Sequence, residues 1–301
     1  MAISAWTGPL AIFGQATYGD TNPQRGSSLF DQGIGLMDPR RPYYPGSAAA
    51  SKAYGWYGVT QIPVIDVVPV ATGAAVIAAA AVQTAGTPMT LVSSSGSGIT
   101  VNQSVRNLNT GATVTGLLAI DGAATPLSMG QDGTINLYNP ANMIARNVTL
   151  TSSGDDSGAT FTVAGFDVYG APMVETITGA NAGTAVGKKA FKYIQSITPA
   201  GTLAAGPATV SAGIGSVFGF PLFVGNIGDA LIVWNNAIQT NGTFVAGDTT
   251  TATATTGDVR GTYVFSGGTL GTSRAQIYVT PKPANVALGA EGLFGVPQFG
   301  G

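Results

Sequence analysis

The sequence predicts a mainly β protein whose body is an antiparallel β-sandwich-like domain, or two small ones. Three observations carry this. Apolar and polar residues alternate with period two through Ile144–Gly215, clusters of turn-forming residues interrupt that alternation at short intervals, and 44 Gly and 17 Pro among 301 residues suit short strands joined by tight turns. The body spans residues 61–280, with a possible break near residue 140. An extended aromatic-rich arm (residues 1–60) precedes it and a Pro/Gly docking tail (residues 281–301) follows it.

The arm holds nine of the chain's 25 aromatic residues yet shows no regular alternation. Disordered tails are usually poor in aromatics, so the segment reads as one that becomes ordered against a surface. Pro39, Pro42 and Pro45 recur every third residue and would line one edge of a polyproline helix, leaving Arg40, Arg41, Tyr43 and Tyr44 on the other two. The arm can clamp a neighbouring subunit or fold over its own body. Trp6, Phe13, Tyr43, Tyr44, Trp56 and Tyr57 are the candidate interface anchors, because aromatic side chains dominate binding hot spots.

Within the body, Gln61–Val70 reads as a strand near a sheet edge, since Pro63 and Pro69 cannot donate to a ladder. Gly73–Gln83 is rich in helix-forming alanine and predicts a short packed helix. Strands follow within Thr87–Val105, Ala112–Asp121 and Gly133–Tyr138, with turn signals at Asp121-Gly122 and Asp132-Gly133. In Arg146–Thr151, Val148 and Leu150 face one way and Asn147, Thr149 and Thr151 the other. Phe161 and Val163 alternate with Thr160 and Thr162 before a turn at Asp167–Gly170 and a return strand over Met173–Thr178. Asp229–Ile238 predicts a buried strand anchored by Trp234, and Thr249–Thr256 a strand with a row of threonines on one face. Such a row can mark an ice-binding surface, but it also suits a solvated face built from good strand formers. Arg260–Phe265 and Ala275–Thr280 complete the pattern.

Charged residues make up 9% of the chain, against roughly 25% in an average domain. A net charge of −2 leaves a bare surface poorly protected from association, so cover by other chains is expected. The absence of cysteine excludes disulfides and thiolate chemistry, and the absence of histidine removes the usual general base and commonest metal ligand. Glu175 falls in a strand and Glu291 in the tail, with no evident partner for paired-carboxylate hydrolysis. Asp155 and Asp156 sit in a Ser/Gly turn that could offer oxygen ligands to calcium, but lack the spacing of a dedicated loop. Lys188, Lys189 and Lys192 are the one basic cluster. They predict a solvated edge strand with Lys188 and Lys192 on one face, a weak footprint for nucleic acid. Residues 62–82 are interrupted by Pro63, Asp66, Pro69 and Gly73 and do not read as a membrane span. No catalytic residue, metal site or cofactor is assigned.

The runs LAIDG (118–122), MGQDGTINLYNPANMIARNVTLTSSGDDSGATFTVAGFDVYGAPMVETITG (129–179), FKYIQSITPAG (191–201) and ATVSAGIG (208–215) resemble structural proteins of tailed-bacteriophage virions. The blocks at 77–101 and 257–279 are similar in style. The resemblance implies a virion component assembled in the host cytoplasm: a head decoration (cement) protein, with a head-fibre or neck and tail protein that binds host glycan as the alternative. It implies the major capsid protein and further copies of this chain as partners; the residues themselves add the expectation of no nucleic acid, membrane or enzymatic role. It carries over no functional residue.

Overall fold

A computed structural model describes residues 62–121, 140–279 and 294–300, and the chain is mainly antiparallel β. Among the described residues, fifteen strands form three sheets. The first sheet has the order β1 (Ile62–Val67), β15 (Ala275–Val279), β11 (Ala230–Trp234) and β12 (Ala237–Ile238). The second runs β13 (Thr243–Ala246), β14 (Gly261–Val264), β10 (Val210–Gly219), β5 (Arg146–Ser152) and β8 (Thr184–Phe191), with β2 (Gly73–Ala81) also paired to β10. The third runs β3 (Ile99–Arg106), β4 (Thr113–Ile120), β9 (Tyr193–Gly201), β6 (Ala159–Phe166) and β7 (Pro172–Thr178).

The second and third sheets share one buried cluster, in which Val148, Leu150, Ala212 and Ile214 meet Phe161, Val163, Ile194 and Ile197. This is the sandwich. A second core joins the first sheet to the far end of the second, where Ile232, Trp234 and Ile277 pack with Phe218, Phe220 and Tyr263. β10 contributes Val210, Ala212 and Ile214 to one core and Phe218 to the other, so a single strand runs through both.

The alternation in β6 is as expected: Phe161 and Val163 are buried and Thr160 and Thr162 are half-buried. β7 returns antiparallel, with Phe161 opposite Ile177 and Val163 opposite Glu175. β5 differs, because Asn147 and Thr149 are buried along with Val148 and Leu150. This strand is central in its sheet and covered on both faces.

Three element predictions are corrected. Gly73–Ala81 is a strand, not a helix. Alanine favours helix only as a weak prior, and here a ladder on β10 overrides it. The two backbones come so close that a Cβ on Gly213 would lie 1.9 Å from the Gly73 carbonyl oxygen. Residues 249–256 form no strand. Their hydroxyls bond locally instead: Thr250 N–H and Oγ1 donate to Asp248 Oδ1, and Thr253 N–H donates to Thr256 Oγ1. Such side-chain bonds compete with a ladder. Asp229–Ile238 is a hairpin, because Asn235 and Asn236 both adopt positive φ (51° and 64°) and reverse the chain after Trp234. Trp234 is buried, stacks on Phe265 at 4.5 Å and donates from Nε1 to the Gly267 carbonyl.

Substituting Gly213→Ala should force β2 away from β10. Urea unfolding should show a loss of about 1–3 kcal/mol, the usual cost of overpacking.

Candidate functional site

Sixteen charged residues fall within the described stretches, and eight of them are buried. Four are exposed: Arg106, Asp155, Lys188 and Arg274. Seven of these eight, all but Asp156, form two groups at the two sides of the β5–β8 pair, and they are the chemically distinctive part of the described residues.

The first group centres on Arg146, the first residue of β5. Its parity with Val148 and Leu150 sends the side chain inward. Between Ile214 and Phe218 the pairing of β10 with β5 slips, leaving backbone groups without ladder partners. Arg146 Nε and NH2 donate to the Gly215 carbonyl there, while NH1 donates to the Val70 carbonyl (2.9 Å) and to Asp121 Oδ2 (3.1 Å). The guanidinium carbon lies 4.6 Å from the Phe218 ring centroid, within cation–π range. Asn147 completes the repair: its Oδ1 accepts Val217 N–H, and its Nδ2 donates to the Gly187 carbonyl. Burial pulls the Arg146 pKa down, and Asp121 opposes that shift. Asp121 Oδ1 also accepts Val70 N–H, so this one ion pair fixes the segment between β1 and β2. Lys192 lies between β8 and β9, where the chain passes from one sheet to the other. Its Nζ donates to the Ile120 carbonyl, and burial lowers its pKa to about 8.

The second group closes the flank where β7 and β8, one from each facing sheet, lie side by side. Glu175 points inward between Met173 and Ile177. Its two carboxyl oxygens accept the backbone N–H groups of Lys188 and Lys189, and Asp258 Oδ2 accepts that of Ala190 (3.0 Å). In return, Lys189 Nζ donates to the Val174 carbonyl (3.1 Å) and to the Thr253 carbonyl (2.7 Å). The outer edge of β7 is capped further, with Thr176 N–H donating to the Ala254 carbonyl and Val174 N–H to the Phe299 carbonyl. Arg260 pairs with Asp167 Oδ2, and Asp167 Oδ1 accepts the N–H groups of Tyr169 and Ala171 to shape the β6–β7 turn. Desolvation raises Glu175 to about 7 against the pull of the amides and Lys189, and it raises buried Asp258 as well.

The expected solvated lysine strand is therefore corrected. Lys188 is exposed, but Lys189 and Lys192 are buried as cross-ties, because each finds backbone carbonyls within its reach. Glu175 also gains the partners that no spacing revealed. Asp155 accepts from Ser157 N–H and Oγ in a local turn, and Asp156 Oδ1 accepts Ala204 N–H. Among the described residues, no three acidic side chains converge on a metal position. Trp6, Phe13, Tyr43, Tyr44, Trp56 and Tyr57 lie outside the described residues. A cleft of about 510 Å³ is lined by Trp234, Phe265 and Phe218, with no acidic side chain in its wall and Trp234 buried.

Two predictions follow from these groups. Asp121→Leu alone strands a buried guanidinium and should cost about 3–5 kcal/mol in urea unfolding. The double variant Arg146→Leu, Asp121→Leu should recover part of that, less the bonds that Arg146 makes to Gly215 and Val70. The second concerns pH. Glu175 ionises near 4.5 when unfolded and about 7 when folded, so the folded state holds the extra proton between those values. Its contribution is complete below about pH 4.5 and is lost as pH rises through 7, roughly 3 kcal/mol in all. The thermal midpoint should fall between pH 5 and 7.5. Glu175→Gln should flatten that slope, leaving the remainder from Asp258, whose shift has the same sign, and near pH 7.5 a small opposite contribution from Lys192. No histidine is present to mask the effect.

No protein-family model, curated protein or solved structure matches the chain.

Proposed function

We propose that this chain is a structural component of a tailed-phage virion, a decoration protein that bridges and stabilises major capsid subunits. The observation that supports it is where the charges lie. Half of the charged residues in the described stretches are buried, as ties between strands or within turns, and four are left exposed on the surface. A surface this poor in charge is prone to association, and permanent cover by neighbouring chains makes it soluble as part of a particle. Val82, Leu108, Val186, Ile238 and Val245 are more than half exposed and suit the same role. A subunit that binds only the assembled shell stabilises it by mass action.

The test is to express the chain with the major capsid protein from the same gene cluster and purify the particles by density. Stoichiometric incorporation and a raised unfolding temperature of the shell are expected. Deletion of residues 1–60 should cut occupancy at least tenfold. Particles that exclude the full-length chain would overturn the reading.

A further inference from the structure

The carboxy-terminal segment lies against the β6–β7 turn and leaves a cavity of about 310 Å³ there. Its walls are apolar, made by Leu108, Tyr169, Phe294, Val296 and Pro297. Phe294 meets Tyr169 edge to face at 5.1 Å, and Leu108 is held over the turn by its N–H donating to the Gly170 carbonyl. Leu108 and Phe294 form an exposed rim, at 59% and 47%.

Two residues that line this cavity carry side-chain polar atoms without partners. Arg260 is 5% exposed; it spends NH2 on Asp167, yet its Nε has no hydrogen-bond partner. Gln298 Nε2 and Oε1 are both buried and both unpartnered. Each such atom costs on the order of 1–3 kcal/mol if left so. These three atoms belong to two residues that line an open apolar space; they are sealed where they lie, and a turn of the Gln298 side chain toward the opening would present its amide to an occupant. The charges narrow the occupant. Arg260 is already balanced by Asp167 and flanked by Asp258, so a further anion gains little there. A primary amide offering one donor and one acceptor complements a peptide unit, and the guanidinium Nε–H can meet a second carbonyl. The fit is an extended polypeptide that places one aromatic side chain between Leu108 and Phe294.

We infer that the cavity receives an aromatic side chain and its backbone amide from the amino-terminal segment, residues 1–60, of this chain. That segment carries nine aromatics, and the body's Phe218, Trp234, Tyr263 and Phe265 are already packed against one another. Its reach is ample: extended, it spans roughly 200 Å, against a radius of gyration of about 17 Å for a body of some 200 residues. The opposite terminus already docks here, with Phe299 accepting from β7. The inference concerns the isolated protein and holds whether or not the chain belongs to a virion.

The chain has no cysteine, so Leu108→Cys in the full-length protein places a single thiol on the rim. It is labelled with a compact thiol-reactive diazirine, irradiated and mapped by mass spectrometry. Cross-links to peptides within residues 1–60 are expected, and gel mobility separates attachment within one chain from attachment to a second copy; either supports the inference. Adding Gln298→Leu should reduce those cross-links at least fivefold while the far-ultraviolet circular dichroism spectrum of the β body stays unchanged, because it removes the amide that meets the arm and leaves the fold intact. Cross-links confined to residues 62–300, or none, would overturn the inference. Unchanged arm cross-links in the Gln298→Leu protein would overturn its peptide-recognition part.

Discussion

The architecture depends on Arg146 being both satisfied and neutralised where β10 slips against β5. β10 serves the sandwich with one half and the second core with the other, and the slip lets it do both. Slipping exposes backbone that neither neighbour can pair. One guanidinium reaches the Gly215 and Val70 carbonyls and the Asp121 carboxylate at once, which a lysine could not do from a single ammonium. Gly215 is part of the same arrangement, because a Cβ there would lie 2.3 Å from Asn147 Oδ1.

The second charged group solves a different problem with the same means. Where a sheet ends, its last strand presents unpaired amides and carbonyls. On the flank of β7 and β8, side chains take the place of the missing strand: Glu175 and Asp258 accept the amides of β8, and Lys189 donates to β7. Residue 254 and Phe299 accept the Thr176 and Val174 amides of the β7 edge, and Lys189 links that edge to the Thr253 carbonyl. The Thr-rich segment thus acts through its backbone as an edge cover, which explains why its hydroxyls turn inward on their own loop.

Much of the fold was legible in the sequence because period-two alternation reports directly on burial. β6 and β7 show this plainly, and Trp234 was recognisable as a core anchor by size alone. The charged groups were legible only in part. Parity placed Arg146 with Val148 and Leu150, and Glu175 with Met173 and Ile177, so an inward charge could have been read from each strand. Their partners could not: Asp121, Gly215, Asp258 and Phe299 are brought in by sheet order, which local pattern does not encode. β2 misled for a related reason. Its alanines speak for helix locally, and the neighbour that makes them a strand lies more than 120 residues away.

The stitched flank also bears on how copies of the chain can meet. Subunits that join by adding strand to strand repeat the same step without limit and grow into ribbons or fibres. With the β8 amides from Lys188 to Ala190 taken by carboxyl groups, and Val174 and Thr176 of β7 bonded to Lys189, residue 254 and Phe299, that route is blocked over this stretch of the flank. A contact made over that stretch runs through side chains and not through a shared backbone ladder.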